Sequence, residues 1–540
     1  MVIKKPSISN IWMLSREYGD LAGVGGVKDV VEQLAKTLAA NSACTVKVVL
    51  PLYGYLDSKK LGLQLIEDPL RHGHPLEYEV DMNYPSEERR ESVRVWTRVR
   101  DKVTLLLLES DRFSDKLAPY TYTDADEEDN PMKRKGVGHD DYFCVNILHQ
   151  KATLDLMMMI NERPDIIHCH DGHTATLPAM VSEKSGYRSF FRNIGMLVTI
   201  HNGGLGYHQE VADLPFAQAT TGLPERVIIG NLLNNAFDPF VAASNYAVIN
   251  TVSENYAREL QETNEDNRTG WLGHELLDRD VVIEGVTNGI EPEILNPQEP
   301  EESGITASFN PVSDKTLTGK ARCKKHLLEL LSDSGQMSAG KQYGSLAVLP
   351  EQPLFSFIGR LSKQKGIGLL IGSLKQLLRE EPGFQIVLLG TGEAVEEEKL
   401  IELAQAEENR SRVCFIQGYA PTLANEIYAA GDFFLIPSEY EPCGLTDFIA
   451  QLFGNIPIVH HVGGLVKVLD GETGLSYEEQ TEEALAKVMR KAVSLYKTEP
   501  DRIREMQKYS VEEIDRYYTW DKVVKNYLNL YKKAINERLM

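Results

Sequence analysis

The chain repeats one pattern: a short apolar run rich in β-branched residues, then a turn, then an amphipathic stretch with helical periodicity. In its first part the strand-like runs are Ile11–Leu14, Thr45–Leu50, Val103–Leu108, Ile166–Cys169, Gly195–Ile200 and Tyr246–Thr251. Strands that alternate with helices indicate a parallel sheet covered by helices on both faces. The predicted fold class is therefore α/β.

The alternation stops near Asn296 and restarts at Leu354. The second series of strand-like runs is Leu354–Ile358, Phe384–Leu389, Val413–Gln417, Asp432–Ile436 and Ile456–Val459. A chain of 540 residues is also too long for one hydrophobic core. We predict a first doubly wound domain over residues 1–295, an irregular connection over 296–350 that contains a helix at Lys320–Leu331, and a second such domain over 351–518. A C-terminal helix over 519–540 is expected to return to the first domain.

Composition excludes several classes of function. The formal charge is −22 and the isoelectric point about 5.1, whereas a nucleic-acid-binding protein usually presents a basic face. No apolar stretch approaches the roughly 20 residues of a membrane-spanning helix. We therefore expect neither nucleic acid nor membrane as a partner. A small phosphorylated ligand, which needs only a local cluster of cations, and a neutral polymer such as a glucan both remain compatible.

Six scattered cysteines without CxxC spacing argue against structural zinc or a disulfide framework. The first strand-like run begins close to the N-terminus, so we expect no signal or transit peptide and a cytoplasmic location. The acidic runs Asp124–Asp129 and Glu393–Glu402 are interpreted as a solvated loop and a solvated helix face.

Three motifs follow strands of the first domain. The loop Gly23–Val30 contains Gly25 and Gly26 and opens a helix, which suits phosphate binding but is also compatible with a tight turn that binds nothing. His168-Cys169-His170-Asp171-Gly172-His173 invites a zinc hypothesis, yet its spacing lacks a helical carboxylate partner. We favour the interpretation that the polar side chains of this motif hydrogen-bond a sugar or stabilise a cleft. The third motif, His201-Asn202, ends a strand before three glycines.

Three further motifs follow strands of the second domain. Arg360 and Lys365 lie five residues apart on one turn, where both can reach a diphosphate, although a solvated basic turn is the alternative. Glu441 lies between a strand end and a proline, in a position to bind sugar hydroxyls. The pair Gly463-Gly464 opens a helix after the run Ile456–Val459. Ligands of open α/β sheets bind beyond the carboxyl ends of the strands, so these motifs mark the expected site.

Together these segments resemble the glycogen and starch synthases, a branch of the GT-B glycosyltransferases. Glu441-Pro442-Cys443-Gly444-Leu445-Thr446 matches that family's EPCGLT stretch, and Arg360-Leu361 with Gln364-Lys365-Gly366 matches its RLxxQKG turn. The remaining motifs agree in order and spacing: HxHDxH at His168–His173, the THN segment at His201-Asn202, TVSxxYA at Thr251–Ala257 and the NG turn at Asn288-Gly289. The resemblance extends from about Ile11 to Leu530.

The resemblance implies two Rossmann-like domains facing across a cleft that closes on the ligand. It also implies a retaining transfer of glucose from ADP-glucose or UDP-glucose to the non-reducing end of an α-1,4-glucan, without a metal or other cofactor. The catalytic residues it implies are Arg360, Lys365, Glu441, His201 and Asp171. The substrate-binding residues it implies are Gly25, Gly26, Asn202, Asn288, Cys443, Gly444, Leu445, Thr446, Gly463 and Gly464.

Some positions depart from the family pattern. The first glycine loop carries Gly23 where the family has lysine and Lys28 where alanine is usual, and the second carries Lys467 in place of an acid. Gly172 replaces a frequent tryptophan, and Gly203-Gly204 replace Leu-Ala. Lys28 and Lys467 are considered as replacements for the missing charge, with solvent-facing side chains as the alternative. The departures leave open an altered donor or acceptor, or a non-catalytic homologue that binds glucan or sugar nucleotide.

Overall fold

The computed structural model describes residues 8–41, 44–333, 336–337 and 340–539. Its contacts divide the chain into two compact units. The first comprises Met1–Gly289 with Trp520–Met540, and the second comprises Ile290–Thr519. None of the described helices is both long enough and apolar enough to cross a membrane.

The first unit is built on a sheet that is mainly parallel. Its strands are β1 (Asn10–Leu14), β2 (Thr45–Pro51), β3 (Gln64–Leu65), β4 (Glu77–Asp81), β5 (Arg90–Arg100), β6 (Val103–Glu109), β7 (Ile166–His170), β8 (Gly195–Ile200), β9 (Leu232–Leu233), β10 (Ala236–Phe237), β11 (Val248–Thr251) and β12 (Glu284–Gly285). The sheet order is β12-β11-β8-β7-β1-β2-β6-β5-β3, with β4 also paired to β5, while β9 and β10 form a separate hairpin. Every residue of β7 and β8 is buried, as expected for parallel strands covered on both faces.

Helices cover this sheet. They are α1 (Val27–Asn41), α2 (Asp111–Ser114), α3 (Asp124–Asp129), α4 (Tyr142–Met159), α5 (Leu177–Glu183), α6 (Ser185–Phe190), α7 (Leu214–Thr221), α8 (Glu225–Ile229), α9 (Pro239–Ser244), α10 (Glu254–Glu262) and α11 (Leu272–Asp278). The acidic run at 124–129 is helix α3 and not the predicted loop. Thr123 and Asp126 exchange hydrogen bonds in a capping box that starts the helix.

The second unit repeats the architecture. Its strands are β13 (Gln336–Met337), β14 (Gly340–Gly344), β15 (Leu354–Ile358), β16 (Gln385–Gly390), β17 (Val413–Gln417), β18 (Phe433–Ile436), β19 (Ile456–His460) and β20 (Leu475–Tyr477), in the order β13-β14-β17-β16-β15-β18-β19-β20. Its helices are α12 (Pro300–Ser303), α13 (Thr318–Leu330), α14 (Ile367–Glu380), α15 (Ala394–Gln405), α16 (Pro421–Ala430), α17 (Thr446–Leu452), α18 (Glu482–Thr498) and α19 (Pro500–Glu513). Strands β15 to β20 are parallel, and the predicted α/β class with two doubly wound sheets is confirmed.

Residues 296–350, predicted as a connection, lie within the second unit. Strand β14 pairs antiparallel with β17, and Tyr343 stacks on Phe415. Helix α13 buries Lys320, whose ammonium donates to three backbone carbonyls of this unit. These long-range contacts, and not local composition, decide where the segment belongs.

The last helix, α20 (Trp520–Leu539), packs on the first unit. The Trp520 indole N–H donates to Gln33 on α1 at 2.6 Å, and Tyr531 hydrogen-bonds His168 on β7 at 3.0 Å. His168 is fully buried, and its other ring nitrogen bonds Thr199. His168 therefore joins the sheet to the last helix, which favours the stabilising over the sugar-binding alternative for this residue.

Both sheets have a topological switch point. In the first, the chain runs from β1 outward to β2 and β6, and later from β7 outward to β8 and β11. In the second it runs from β15 outward to β16 and β17, and later from β18 outward to β19 and β20. Ligands of such sheets bind in the crevice beyond the carboxyl ends of the strands where the direction reverses. The crevices lie between β1 and β7, and between β15 and β18.

Candidate functional site

In the second unit, an ion pair joins the turn after β15 to the turn after β18. The Lys365 ammonium lies 2.5 Å from Glu441 Oε2, which also accepts from the Ser438 hydroxyl at 3.0 Å. The two charged side chains are 22% and 12% exposed, so each retains some access to solvent. The pair therefore connects the two sides of the switch-point crevice with charges of opposite sign.

Arg360 precedes Lys365 on the same turn but has different surroundings. It is exposed, and within the described ranges its guanidinium makes no hydrogen bond or ion pair. A planar guanidinium presents five N–H donors in a fork that matches phosphate oxygens. Arg360 is thus a cation available to an anionic ligand beside a lysine that is already paired.

The backbone fixes the distance between the two turns. Gly366 has φ +69°, and a Cβ there would lie 1.9 Å from the carbonyl oxygen of Pro437. The Glu439 N–H donates to the Gln364 carbonyl at 2.9 Å. Only glycine permits this approach, so the RLxxQKG turn ends in Gly366 for a steric reason.

The pair Gly463-Gly464 supports the Glu441 turn by the same kind of close approach. A Cβ at Gly463 would lie 2.0 Å from the Glu441 carbonyl oxygen, and one at Gly464 would lie 2.1 Å from the Cys443 carbonyl oxygen. The Gly464 N–H donates to the Glu441 carbonyl at 2.8 Å. This N–H is therefore already engaged, and the pair packs backbone against backbone.

Residues 443–446 complete the turn after β18. Cys443 is 6% exposed, Gly444 has φ +75°, and Thr446 begins α17. The N–H groups of Gly444 and Leu445 have no acceptor among the described residues. Unsatisfied peptide N–H groups beside a cationic turn are suitable donors to an anion.

Two features at the same edge of the sheet were missed from the sequence. Gly390 ends β16, and Thr391-Gly392 follow it. A Cβ at Gly390 would lie 2.1 Å from the Gly359 carbonyl oxygen, so this turn packs on the Arg360 turn. Tyr419 follows β17 and is 85% exposed. Two glycines at the end of one apolar strand, and an aromatic residue just after another, are the signals that could have identified them.

In the first unit, the glycine loop is folded around a buried carboxylate. Glu17 follows β1, is 4% exposed, and accepts from the Tyr120 hydroxyl at 2.7 Å and from the Val24 N–H at 2.9 Å. The Gly25 N–H lies 3.4 Å from the same carboxylate, and Gly26 precedes the first residue of α1. Glu17 was not predicted from the sequence, although a carboxylate between a strand and a glycine loop is a recognisable signal.

Asp171, His201 and Asn202 are brought together at the carboxyl ends of β7 and β8. The Asp171 carboxylate accepts from the backbone N–H groups of His201, at 2.7 Å, and Asn202, at 3.4 Å. His201 Nε2 hydrogen-bonds His170 Nδ1 at 2.9 Å. Asn288, also predicted to bind substrate, is buried near the end of the first unit, and its Oδ1 has no hydrogen-bond partner within the described residues.

Burial sets the charges of this group. It raises the pKa of Asp171 to about 7 and lowers the pKa of His201 to about 3. The imidazole is therefore neutral at physiological pH, and the carboxyl group is the one that titrates there. Within the described residues, no three His, Cys, Asp or Glu side chains are grouped as metal ligands.

The departures in the first unit have steric explanations. A Cβ at Gly23, which has φ +154°, would lie 2.6 Å from Lys28 Cβ, so the Lys28 side chain occupies the space beside this glycine. Lys28 pairs with Asp29 at 3.0 Å. A Cβ at Gly172 would lie 2.2 Å from the His208 carbonyl oxygen, so the loop that follows Gly203-Gly204 fills the place of a larger side chain.

Lys467 in the second glycine turn is buried inside the second unit. Its ammonium is buried against Asp447 at 3.0 Å, with the two side chains 6% and 0% exposed. The solvent-facing alternative for Lys467 is wrong, because the side chain turns into the protein, where backbone carbonyls and a carboxylate bind it. Compensation for the missing charge stays a prediction.

Residues 10–276 match the starch synthase catalytic domain and residues 343–509 match glycosyl transferases group 1. A glycogen synthase of Streptococcus pneumoniae serotype 2 is 30% identical over 535 residues, which are 97% of this chain and 100% of that protein. A glycogen synthase of Vibrio cholerae serotype O1 is 29% identical, over 97% of this chain and 99% of that protein.

The chain belongs to the glycogen and starch synthase family. Among solved structures, the catalytic domain of starch synthase IV from Arabidopsis thaliana bound to ADP and acarbose covers 98% of the chain with a TM-score of 0.76 and 24% identity. Sucrose-phosphate synthase from Thermosynechococcus elongatus covers 98% of the chain with a TM-score of 0.55 and 18% identity. These likenesses establish the GT-B fold, and family membership makes the chain a hexosyltransferase of the glycogen synthase type.

Proposed function

We propose that this family member moves glucose from ADP-glucose or UDP-glucose to the non-reducing end of an α-1,4-glucan, with retention at the anomeric carbon. The observation that carries the proposal is the pairing of Lys365 with Glu441 at the switch point of the second unit, beside Arg360, which has no partner among the described residues. One diphosphate sugar needs both kinds of group: cations for the phosphates and a carboxylate for the sugar hydroxyls. The solved starch synthase IV carries ADP and acarbose, which agrees with such a donor and acceptor.

Arg360 and Lys365 are proposed to stabilise the leaving nucleoside diphosphate. When the bond between the glucose C1 and the diphosphate oxygen breaks, negative charge grows on the phosphate oxygens. Fixed cations that face this charge lower the barrier, and electrostatic stabilisation of this kind is often the largest catalytic contribution. The two side chains, in place of a metal ion, would supply the positive charge. The N–H groups of Gly444 and Leu445 would add uncharged donors.

Glu441 is proposed to hold the donor glucose. A carboxylate that already binds Lys365 and Ser438 is fixed in orientation and can accept from sugar hydroxyls with its remaining lone pairs. Tyr419 is proposed to stack on the nucleobase, because its ring is exposed at the same strand edge. Base stacking of this kind tolerates either adenine or uracil.

In the first unit, Asp171 and neutral His201 are proposed to hydrogen-bond the glucose near the anomeric carbon. The structure of the loop supports this role, since the Asp171 carboxylate fixes the backbone of His201 and Asn202. Glu17, at the neighbouring strand end, is proposed to orient the glycine loop that contains Gly25 and Gly26.

The test is incubation of the purified chain with glycogen and either ADP-[¹⁴C]glucose or UDP-[¹⁴C]glucose. We expect incorporation into polymer with stoichiometric release of nucleoside diphosphate. Digestion of the product with an α-1,4-specific exo-hydrolase should release the label. Donor hydrolysis without incorporation, or binding of glycogen without turnover of either donor, would contradict the proposal and favour a non-catalytic homologue.

A further inference from the structure

Lys467 and Asp447 form a buried ion pair in the second unit. The Lys467 ammonium lies 3.0 Å from Asp447 Oδ2, with the side chains 6% and 0% exposed. It also lies 4.5 Å from the centre of the Phe448 ring. Burial of two charges is costly and is compensated only where further hydrogen bonds satisfy them. The other partners of this ammonium therefore decide what the pair does.

Those partners are backbone carbonyls of the two turns that form the candidate donor site. Lys467 donates to the carbonyls of Cys443 at 2.6 Å, Gly444 at 2.9 Å and Gly464 at 3.1 Å. One ammonium thus joins the turn after β18, the glycine turn after β19 and the first turn of α17. Each of these segments contacts Glu441 or follows it directly in the chain.

The direction of the carbonyls determines the direction of the peptide N–H groups. In a planar trans peptide the C=O and N–H point in opposite directions. Because the carbonyls of Cys443 and Gly444 point to the ammonium, the N–H groups of Gly444 and Leu445 point away from it. These two N–H groups have no acceptor among the described residues.

We propose that Lys467 is a positioning residue, which holds the 443–446 turn so that the N–H groups of Gly444 and Leu445 are presented to the diphosphate of the donor. The assignment rests on the proposed function for the identity of the ligand, but the orientation of the turn does not depend on it. A positive charge in the glycine turn therefore acts through the backbone and not by contact with the donor.

Lys320 supplies a matched control. It is a buried lysine of the same unit whose ammonium also donates to three backbone carbonyls, those of Tyr428, Ala429 and Phe453. None of these residues belongs to the candidate site. A lysine that only stabilises the fold should behave like Lys320.

The experiment compares Lys467→Met with Lys320→Met in the full chain. A third protein, Asp447→Asn with Lys467→Gln, removes both charges together, so that no buried charge is left alone if Lys467→Met fails to fold. Each is compared at equal folded fraction. The readouts are the Kd for ADP by calorimetry, KM for the donor and kcat for glucose transfer, and the alkylation rate of Cys443 in the unliganded protein, followed by mass spectrometry.

We expect Lys467→Met and the double variant to weaken ADP binding and raise the donor KM at least tenfold. Alkylation of Cys443, which is buried in the native turn, should accelerate at least tenfold. A single amide NH₂ cannot serve three carbonyls, so the double variant should not recover. Lys320→Met should leave the Kd for ADP, the donor KM, kcat and the Cys443 alkylation rate within twofold of the native protein at the same folded fraction.

If Lys467→Met and the native protein have the same ADP affinity and the same Cys443 alkylation rate, the positioning role of Lys467 is overturned. Equal effects of Lys467→Met and Lys320→Met would overturn it as well. If the native chain neither binds ADP nor transfers glucose, the proposed function fails, and the alkylation rate alone still decides whether Lys467 fixes the turn.

Discussion

Arg360 and Lys365 share one turn, yet only Lys365 is held by a carboxylate. Since Arg360 is exposed and makes no contact within the described residues, its removal should leave the free energy of unfolding within about 0.5 kcal/mol of native. Loss of its contact with the leaving diphosphate should lower kcat about 10²–10³-fold. We therefore expect Arg360→Ala to be folded and nearly inactive, as measured by urea unfolding and by glucose incorporation.

Arg379, an exposed arginine on α14, is the matched control, and Arg379→Ala should keep full activity. Arg360→Lys, which keeps the charge but loses the planar fork, should be intermediate. Native turnover in Arg360→Ala would contradict the role given to this residue.

Asp171 is expected to set the pH dependence of the reaction. Burial raises its pKa to about 7, whereas the pKa of His201 is lowered to about 3 and that group stays neutral. The carboxylate form should be needed to orient the sugar, so kcat/KM should rise with pH through an apparent pKa near 7. The Asp171→Asn variant should be slow and lack this inflection.

The same group makes a contribution of known sign to stability. Its folded pKa lies above the ordinary value of 3.8, so the folded state binds the proton more tightly. The free energy of unfolding should therefore fall as pH rises from about 4 to 7, relative to Asp171→Asn. If the free energy of unfolding, measured with urea, changes with pH in the same way in the native protein and in Asp171→Asn, the raised pKa of Asp171 is refuted.

Gly23 lacks the lysine typical of the family, but simple restoration should fail. A side chain at Gly23 would overlap Lys28 Cβ at 2.6 Å and the Glu17 carboxylate at 2.7 Å. We expect Gly23→Lys to lower thermal stability and activity. The addition of Lys28→Ala should recover part of both, because it removes a further overlap with Lys28 Cδ at 2.7 Å, although the Cβ overlap remains. If Gly23→Lys alone raises activity, the steric argument is incorrect.

At the level of elements, the site depends on turns that bring backbones close together. Gly366 and Gly471 both have positive φ, +69° and +75°, but only Gly366 has a neighbour that a Cβ would meet, the Pro437 carbonyl oxygen at 1.9 Å. Gly471→Ala should cost only the backbone strain, about 1–2 kcal/mol. Gly366→Ala should cost more and should also separate Lys365 from Glu441.

The measurement is urea unfolding together with the Kd for ADP. We expect weakened ADP binding in Gly366→Ala and native binding in Gly471→Ala at equal folded fraction. Identical behaviour of the two variants would mean that the overlap at Pro437 is relieved without moving the turn.

At the scale of the whole molecule, each unit has its own core and its chain ends lie together. The Ile290 N–H donates to the Tyr518 carbonyl at 2.8 Å, where the chain enters and leaves the second unit. Arg360, Lys365 and Glu441 all lie within this unit. We expect residues 290–519, expressed alone, to fold cooperatively and bind ADP within about tenfold of the full chain.

A second engineered protein joins residues 1–289 to residues 520–540 through a short Gly-Ser linker. A short linker is enough because the two ends are adjacent: a Cβ at Gly289 would lie 3.1 Å from the Trp520 Cα. It should fold, whereas residues 1–289 alone should not, since α20 covers part of the sheet. A folded 290–519 fragment that fails to bind ADP, while the full chain binds it, would place essential donor contacts elsewhere.

The sequence by itself determined the alternation of strands and helices and the positions of the motifs at strand ends. These are local properties: β-branched runs such as Gly195–Ile200 form strands wherever they are buried, and the turns after them carry the candidate ligand-binding residues. The antiparallel strand β5 was missed, although the first half of Arg90–Arg100 alternates in burial and the strand forms a hairpin with β6 across Asp101-Lys102. Charged residues interrupt its apolar positions, so the run does not predict a buried strand.

Only the tertiary structure decided which side chains are buried in ion pairs and which stay exposed at the candidate site. Lys467 looked like a spare cation near the donor, but its direction is set by carbonyls of residues 443, 444 and 464, which the sequence does not place beside it. The buried partners of Glu17 and the assignment of residues 296–350 to the second unit are further cases. Spacing along the chain fixes local geometry, whereas burial and pairing depend on contacts between residues far apart in sequence.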